Sequence, residues 1–279
     1  MAGPKIDEIG PWSEVKLQIL RRYAVEYSKI LASQTSPSFW HVYIDAFAGA
    51  GLHLSRTSGE MVPGSPMNAL LVQPPFREYH LVDLDGDKTQ GLRKLVGERP
   101  DVHVHHGDCN ALLLEKVFPL VRFEDRKRGL CILDPYGLHL DWQVIHTAGS
   151  MGSLEVFINF PMYDININVL HHDPATVLPI HIERMNAFWG DESWRAVAYE
   201  QSAPNLFGQT ELEKVSNEKF ADAFRERLKK VAGFRRVPAP LPMRNSKGAV
   251  VYYLFFASQK GTAENIVTYI LDRFGRGSA

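Results

Sequence analysis

Between residues 41 and 160 five short apolar runs alternate with longer stretches of helical character, and this alternation constrains the fold more than any other feature. The runs cover residues 41–47, 78–84, 102–106, 130–133 and 154–160. They are too short for buried helices and rich in β-branched and aromatic residues, which reads as strand. Helical candidates lie between them, at 66–72, 87–96, 111–121 and 141–148. Strands separated by helix-length connections predict βαβ units and a mostly parallel sheet. An opening helix is expected over residues 12–31, where Trp12, Ile19, Leu20, Tyr23, Tyr27, Ile30 and Leu31 fall at helical spacing.

Beyond residue 160 the pattern changes. Residues 161–210 are polar, aromatic and irregular, with His171-His172-Asp173-Pro174 and Phe188-Trp189-Gly190-Asp191. An amphipathic helix follows over about 211–231, ended by Gly233 as a C′ residue. Apolar segments 235–241 and 249–257, joined by Met243-Arg244-Asn245-Ser246-Lys247-Gly248, predict a hairpin. A sheet that starts parallel and ends in a hairpin resembles the layout of class I methyltransferases. The fold expected is therefore α/β and Rossmann-like, with an N-terminal helical extension over 1–40 and the main domain over 41–279. Residues 161–210 are then an insertion after the fifth strand.

Composition supports a self-sufficient core. Of 279 residues 45% are apolar and 23% charged, ordinary proportions for a globular chain. Two cysteines, Cys109 and Cys131, exclude a disulfide scaffold and a Cys-rich zinc site. No apolar run reaches the ~18–20 residues of a membrane helix. The first eight residues lack a basic segment followed by an apolar one. The expectation is a cytoplasmic protein without membrane association. The net charge is −1, so affinity for nucleic acid requires a local basic patch.

In open α/β sheets ligands bind at the carboxyl ends of the strands. The first strand runs into Asp45-Ala46-Phe47-Ala48-Gly49-Ala50-Gly51. Gly49 and Gly51 let the backbone approach a ligand closely. Asp45 can accept from a cationic amine, such as that on the methionine part of S-adenosylmethionine. The alternative is a tight packing turn. The third glycine of a dinucleotide fingerprint is missing, and 52–63 reads as a loop, so a pyrophosphate would lack its helix N-terminus. The delayed helix begins at Gly64-Ser65-Pro66, with Ser65 as N-cap. The second strand ends in Asp83-Leu84-Asp85, where Asp83 can hold both ribose hydroxyls and Asp85 opens the next helix; alternatively both are caps. The third ends near Asp108, placed to meet an adenine amine, to cap the following helix, or both. The cofactor-binding set is thus Asp45, Phe47, Gly49, Gly51, Asp83 and Asp108.

The fourth strand ends Leu133-Asp134-Pro135-Tyr136-Gly137. A carboxylate and a proline carbonyl there can accept two hydrogen bonds from an exocyclic amine, and an adjacent ring can stack on a flipped base. Asp134, Pro135 and Tyr136 are the candidate catalytic residues, Tyr136 also forming a substrate wall. A plain Asp-Pro turn is the competing reading. Asn159, in Asn159-Phe160-Pro161-Met162-Tyr163 after the fifth strand, is assigned to the wall of the pocket.

Across most of its length the chain resembles the bacterial three-Cys-motif partner proteins. The matching features are Trp12 with Lys16, Tyr43-Ile44-Asp45-Ala46-Phe47-Ala48-Gly49, Gly64-Ser65-Pro66, Asp134-Pro135-Tyr136-Gly137 with Trp142, Phe157-Ile158-Asn159-Phe160, Phe188-Trp189-Gly190-Asp191 with Trp194, and Tyr252-Tyr253-Leu254. The resemblance implies a class I methyltransferase fold, an S-adenosylmethionine site and a partner, a radical-SAM-like three-Cys protein encoded nearby. By analogy with adenine-N6 methyltransferases, the Asp134 motif implies an amine acceptor. Here Tyr136 replaces the second proline of that motif, shifting the stacking ring by one residue.

Arg225, Arg227, Lys229, Lys230, Arg235, Arg236, Arg244 and Lys247 face only Asp222 and Glu226 over the same stretch. They read as a solvated face or as a phosphate-contacting edge, with Arg235 and Arg236 assigned to substrate. His103 and His105 share one strand face, and His171, His172 and His181 lie in the irregular segment, but no spacing matches a zinc template. No metal is expected. Trp189, Trp194 and Tyr199 read as local core. Three functions are consistent with these residues: a methyltransferase acting on an amine of nucleic acid, a non-catalytic partner subunit of the same fold, and a small-molecule methyltransferase with 161–210 as lid.

Overall fold

The computed structural model describes residues 6–202 and 212–275. The chain opens with a short strand, β1 (Asp7–Ile9), and a long helix, α1 (Pro11–Ser33). Pro11 suits the first turn, where its missing N–H would have had no partner. Then come β2 (Trp40–Asp45), the hairpin β3 (Leu52–Ser55) and β4 (Met61–Pro63), α2 (Ser65–Leu70), β5 (Glu78–Asp83), α3 (Gly86–Val96), β6 (Val102–His106), α4 (Cys109–Leu112), β7 (Lys127–Leu133), α5 (Trp142–Met151) and β8 (Leu154–Phe160). The second half holds α6 (Met162–Asn168), α7 (Pro179–Trp189), α8 (Trp194–Ala198), β9 (Tyr199–Gln201), β10 (Leu212–Lys214), α9 (Asn217–Lys230), β11 (Leu241–Arg244), β12 (Val250–Ala257) and α10 (Gly261–Gly275).

Seven strands form one sheet in the order β11-β12-β8-β7-β2-β5-β6. The five from β8 to β6 are parallel, and β12 and β11 close the sheet antiparallel. The chain builds outward from β2 through β5 to β6, then returns to the other side of β2 with β7. That reversal puts the switch point between β2 and β7, where the crevice of an open α/β sheet lies. Parallel strands are covered on both faces, so they read as continuous apolar runs. One face packs Ile19, Tyr23 and Tyr27 of α1 and Val267 of α10 against Tyr43, Phe157 and Phe256. The other packs Val144 of α5 and Phe220 and Phe224 of α9, with Phe188 of α7, against Phe160 and Phe255.

The structure departs from the sequence expectations in several places. Residues 52–63 are not a loop: β3 and β4 pair antiparallel, and β1 adds to β3 in parallel. Their strands span three or four residues, below what periodicity can detect. The segment after β8 is not irregular but holds α6, α7 and α8, with Met185, Phe188, Trp189 and Trp194 buried. Its residues 203–210, and the expected helix start at Glu211, lie outside the described residues. Strand β10 and the Ser216 hydroxyl, which accepts from the Lys219 N–H at 3.2 Å, set the true start of α9. The helix expected over 111–121 is distorted into a π turn (Leu113–Val117) and a 3-10 turn (Phe118–Leu120), because Pro119 lacks the N–H that would continue the ladder. Pro238 and Pro240 likewise keep 235–240 out of the hairpin, whose first strand is β11. Gly64 rather than Ser65 caps α2. Among the described residues no helix is long and apolar enough to cross a membrane.

Candidate active site

A cleft of about 670 Å³ opens at the carboxyl edge of the sheet, lined among others by Phe47, Asp83, Asp108, Tyr136, Asp141 and Arg184. Asp83 ends β5 and ties the first loop to the second: one oxygen accepts from the Gly49 N–H at 2.7 Å and the other from the Asp85 N–H at 2.9 Å. Gly49 has φ +63°, and a Cβ on it would meet nothing within 4 Å, so the backbone there is open to close approach. Gly51 has φ +83° and turns its α-carbon into the protein, where a Cβ would meet Leu92 Cδ1 at 2.8 Å. Asp85 caps α3 through the Asp87 and Lys88 N–H groups. Asp108 accepts from the Asn110 N–H at 3.2 Å, capping α4 while it lines the cleft. Asn110 in turn accepts from the Asp141 N–H at 2.8 Å and donates to the His139 carbonyl at 3.1 Å. Burial, with Asp108 nearby, raises the Asp141 carboxyl above its ordinary value. This donor and acceptor set fits an adenosine: two carboxylates at or just past strand ends and an aromatic ring line one space, and one of the carboxylates anchors the Gly49 loop.

Asp45 does not reach that space. It is fully buried, and its carboxylate accepts from the Tyr43 hydroxyl and the Phe47 N–H, each at 3.2 Å, and from Ser65. Burial pushes its pKa up to about 6. Its place in the cofactor-binding set is corrected to that of a support: it is not among the residues lining the cleft, and it holds the first loop through the Phe47 N–H.

Asp134 stands at the end of β7 with both oxygens engaged. Lys16 of α1, itself buried, forms a part-buried ion pair with one, its ammonium 5.3 Å from the Tyr252 ring centroid. Burial opposes the Lys16 charge, but the Asp134 carboxylate outweighs it and lifts the pKa above the ordinary lysine value. The Asn159 amide nitrogen donates to the other oxygen at 2.9 Å and to the Pro135 carbonyl at 3.2 Å. These are the two acceptors that the motif offers to an exocyclic amine. An NH₂ group of the chain itself already makes that pair of bonds. Asn159 is thus a direct partner of Asp134 rather than a plain wall, and its own carbonyl oxygen is buried with no hydrogen bond among the described residues.

Tyr136 is 77% exposed, and its hydroxyl donates to Asp7 at 3.1 Å. Lys88 meets the same Asp7 oxygen at 2.5 Å and lies 5.7 Å from the Tyr136 ring centroid. Burial would raise the Asp7 carboxyl; hydrogen bonding and charge from Lys88 outweigh it and hold Asp7 below the usual range. His53 of β3 sits in the field of Asp7, Lys16, Asp134 and Lys88, its Nδ1 buried without a hydrogen-bond partner among the described residues and its pKa lowered chiefly by burial. Sequence reasoning missed Asp7, His53 and Lys88. Asp7 and His53 meet there because β1 pairs with β3, a contact with no local signal, and Lys88 of α3 reaches the Asp7 carboxylate that this pairing delivers. Lys16 entered only through the family resemblance.

Arg235 and Arg236 are not at this edge, which corrects their assignment to substrate. Arg236 exchanges backbone hydrogen bonds with Ser258, just past the end of β12, and β12 runs opposite to the parallel strands. Both arginines therefore lie at the amino edge. The other cations of that run are largely spent within the protein: Arg225 on the Val237 carbonyl, Arg227 on the Trp189 carbonyl and Asp191, Lys229 and Lys230 on Glu226. His80, His103 and His105 stack on the outer end of the sheet around Glu78. Among the described residues no group of three or more His, Cys, Asp or Glu side chains is arranged to hold a metal ion.

No family model and no curated protein matches the chain. Solved structures do. A Legionella pneumophila protein of the DUF519 family aligns with 92% of this chain and 91% of its own, at 12% identity and a TM-score of 0.51. A candidate S-adenosylmethionine-dependent methyltransferase of Listeria monocytogenes aligns over 85% and 98%, at 10% identity and a TM-score of 0.44. A candidate methyltransferase of Thermobifida fusca aligns over 90% and 84%, at 15% identity and a TM-score of 0.43. Similarity this distant speaks to fold alone. The likeness to the Legionella structure supports a Rossmann-like α/β fold, and the strand order, a parallel core closed by an antiparallel pair, has the class I methyltransferase layout.

Proposed function

We propose that the protein is an S-adenosylmethionine-dependent methyltransferase whose acceptor is an exocyclic amine of a nucleic-acid base. The observation that carries this reading is the meeting of Asp83, Asp108, Phe47 and Tyr136 in one cleft, at the strand ends beside Asp134. Bound S-adenosylmethionine supplies an electrophilic methyl group. Asp83 accepts from the ribose hydroxyls while it braces the Gly49 loop. Asp108 accepts from the adenine amine, and Phe47 flanks the ring. On the acceptor side Asp134 and the Pro135 carbonyl take the two N–H bonds that Asn159 makes in its place, which turns the nitrogen lone pair away from them. The Asp134 carboxylate, 26% exposed, is the group that takes the proton the nitrogen sheds. The exposed Tyr136 ring offers a stacking face.

The test is methyl transfer from labelled S-adenosylmethionine to DNA and RNA oligonucleotides, with S-adenosylhomocysteine binding measured in parallel. Asp134→Ala is expected to bind the cofactor product normally and transfer nothing, because the interaction lost belongs to the transition state. Tyr136→Ala is expected to weaken substrate binding by ~1–3 kcal/mol. Full activity in Asp134→Ala refutes the site.

A second reading rests on a specific observation: Lys16 and Asn159 together occupy every acceptor that Asp134 and Pro135 present. A site satisfied from within suits a non-catalytic methyltransferase-fold subunit serving a three-Cys radical-SAM-like protein. Tight S-adenosylhomocysteine binding with no transfer to any oligonucleotide would favour it.

A further inference from the structure

We infer that the amino edge of the sheet carries a second ligand site, separate from the cleft, that takes a small organic ammonium ion with an apolar body. A cavity of about 270 Å³ lies there between the C-terminal half of α1, the first turn of α10 and the adjoining ends of β7, β8 and β12. It shares no lining residue with the cleft at the carboxyl edge. Ile30, Leu31, Phe39, Leu154, Ala263 and Ile266 make its walls apolar. A cavity of about 150 Å³ suffices for benzene, so this one has room for a ring and a short aminoalkyl arm.

Its polar end is built from one carboxyl and three hydroxyls. The Glu155 carboxyl accepts from the Tyr23 hydroxyl at 2.5 Å and from the Ser258 hydroxyl at 3.4 Å. Tyr27 is 6% exposed, lines the cavity, and its hydroxyl has no hydrogen-bond partner among the described residues. A buried hydroxyl left without a partner costs roughly 1–3 kcal/mol, so an occupant that satisfies it binds with that advantage. Among the described residues the carboxylate has two hydroxyl partners and no cation in contact. Arg128 and Lys260 are the cations that face the cavity. The Arg128 Nη1 donates to the Phe123 and Lys127 carbonyls, and its guanidinium stacks 3.7 Å from the Phe123 ring centroid. Lys260 is exposed and reaches Glu155 only through its field. An ammonium group supplies what is missing: a counter-charge and N–H donor for Glu155, and an N–H donor for the Tyr27 oxygen. Anions are disfavoured by the carboxylate, and neutral alcohols lack the counter-charge.

Burial pushes the Glu155 pKa up to about 7. A cation therefore binds more tightly as pH rises through that value, where the carboxylate forms.

The probe is benzylamine, titrated calorimetrically into the full chain at pH 6 and pH 8, with benzyl alcohol as the neutral control and melting temperature as the check on folding. Benzylamine is protonated at both pH values. One site is expected, with affinity roughly tenfold higher at pH 8 than at pH 6, as a group of pKa near 7 requires. Benzyl alcohol should bind at least tenfold more weakly. Glu155→Gln keeps an acceptor for one of the two hydroxyls and offers an N–H to the oxygen of the other; it should melt near the wild type and lose benzylamine binding at least tenfold. Tyr27→Phe should fold normally and bind several-fold more weakly. Absence of binding at millimolar benzylamine, equal affinity for benzyl alcohol, or unchanged affinity in either folded variant overturns the inference.

Discussion

Lys16 and Asp134 lie 118 residues apart in the chain and form a part-buried ion pair at the carboxyl edge of the sheet. The pair joins α1 to the end of β7, so the helix that precedes the first sheet strand is part of the site wall. An amine reaching Asp134 must share the carboxylate with Lys16 and displace the Asn159 amide.

Removing the carboxylate alone strands a buried cation. Asp134→Ala should destabilise the fold by ~3 kcal/mol, the low end for a broken buried pair, given that Asp134 is partly open. Asp134→Ala combined with Lys16→Met should recover most of that loss. Urea unfolding of the two single variants and the double variant measures the coupling, and additivity would contradict the pairing.

Asp83 is expected to govern cofactor affinity. Asp83→Ala removes the anchor of Gly49 and, with it, the ribose contacts proposed for this carboxylate, and should cost on the order of 1.5–3 kcal/mol, or roughly ten- to a hundredfold in S-adenosylhomocysteine affinity. Asp83→Asn, which keeps one acceptor for the Gly49 N–H, should lose less. Calorimetry on both variants reads the difference.

Three buried groups set opposing pH terms in stability. Burial raises Glu155 to about 7 and Asp45 to about 6, and lowers His80 to about 4. The two acids bind their protons more tightly when folded, so their contribution is complete below about pH 4 and is lost as pH rises toward 7. His80 does the reverse: its contribution is complete above about pH 6.5 and is lost as pH falls toward 4. Between about pH 4.5 and 7.5, Glu155→Gln should therefore melt with a stability that rises more steeply with pH than the wild type's. A parallel pair of melting curves would remove Glu155 from the account.

Gly190 ends α7 with φ +101°, and a Cβ there would fall 2.4 Å from the Trp142 ring. Both the backbone and the ring contact resist a side chain. Gly190→Ala should destabilise by about 2 kcal/mol or more. Thermal unfolding measures it, and a shift within error would show that Trp142 moves freely.

The parallel core was legible in the sequence because its signals are local. Strands at 102–106 and 154–160 have the bounds that their apolar runs predict, and the sheet does end in an antiparallel pair. Asp83 and Asp108 could be placed at strand ends, since a strand end and the helix cap after it are written in consecutive residues. Tertiary structure alone decided the rest. Asp45 sits at a strand end too, but the Tyr43 and Ser65 hydroxyls turn it inward, which strand position cannot reveal. Arg235 and Arg236 follow a basic helix in sequence, yet the antiparallel course of β12 carries them to the far edge. Lys16, His53 and Lys88 meet Asp134 and Asp7 through a three-residue strand pairing and a helix packed across the sheet. Such contacts join segments tens of residues apart, and no local periodicity encodes which distant partner a short strand or a single lysine will find.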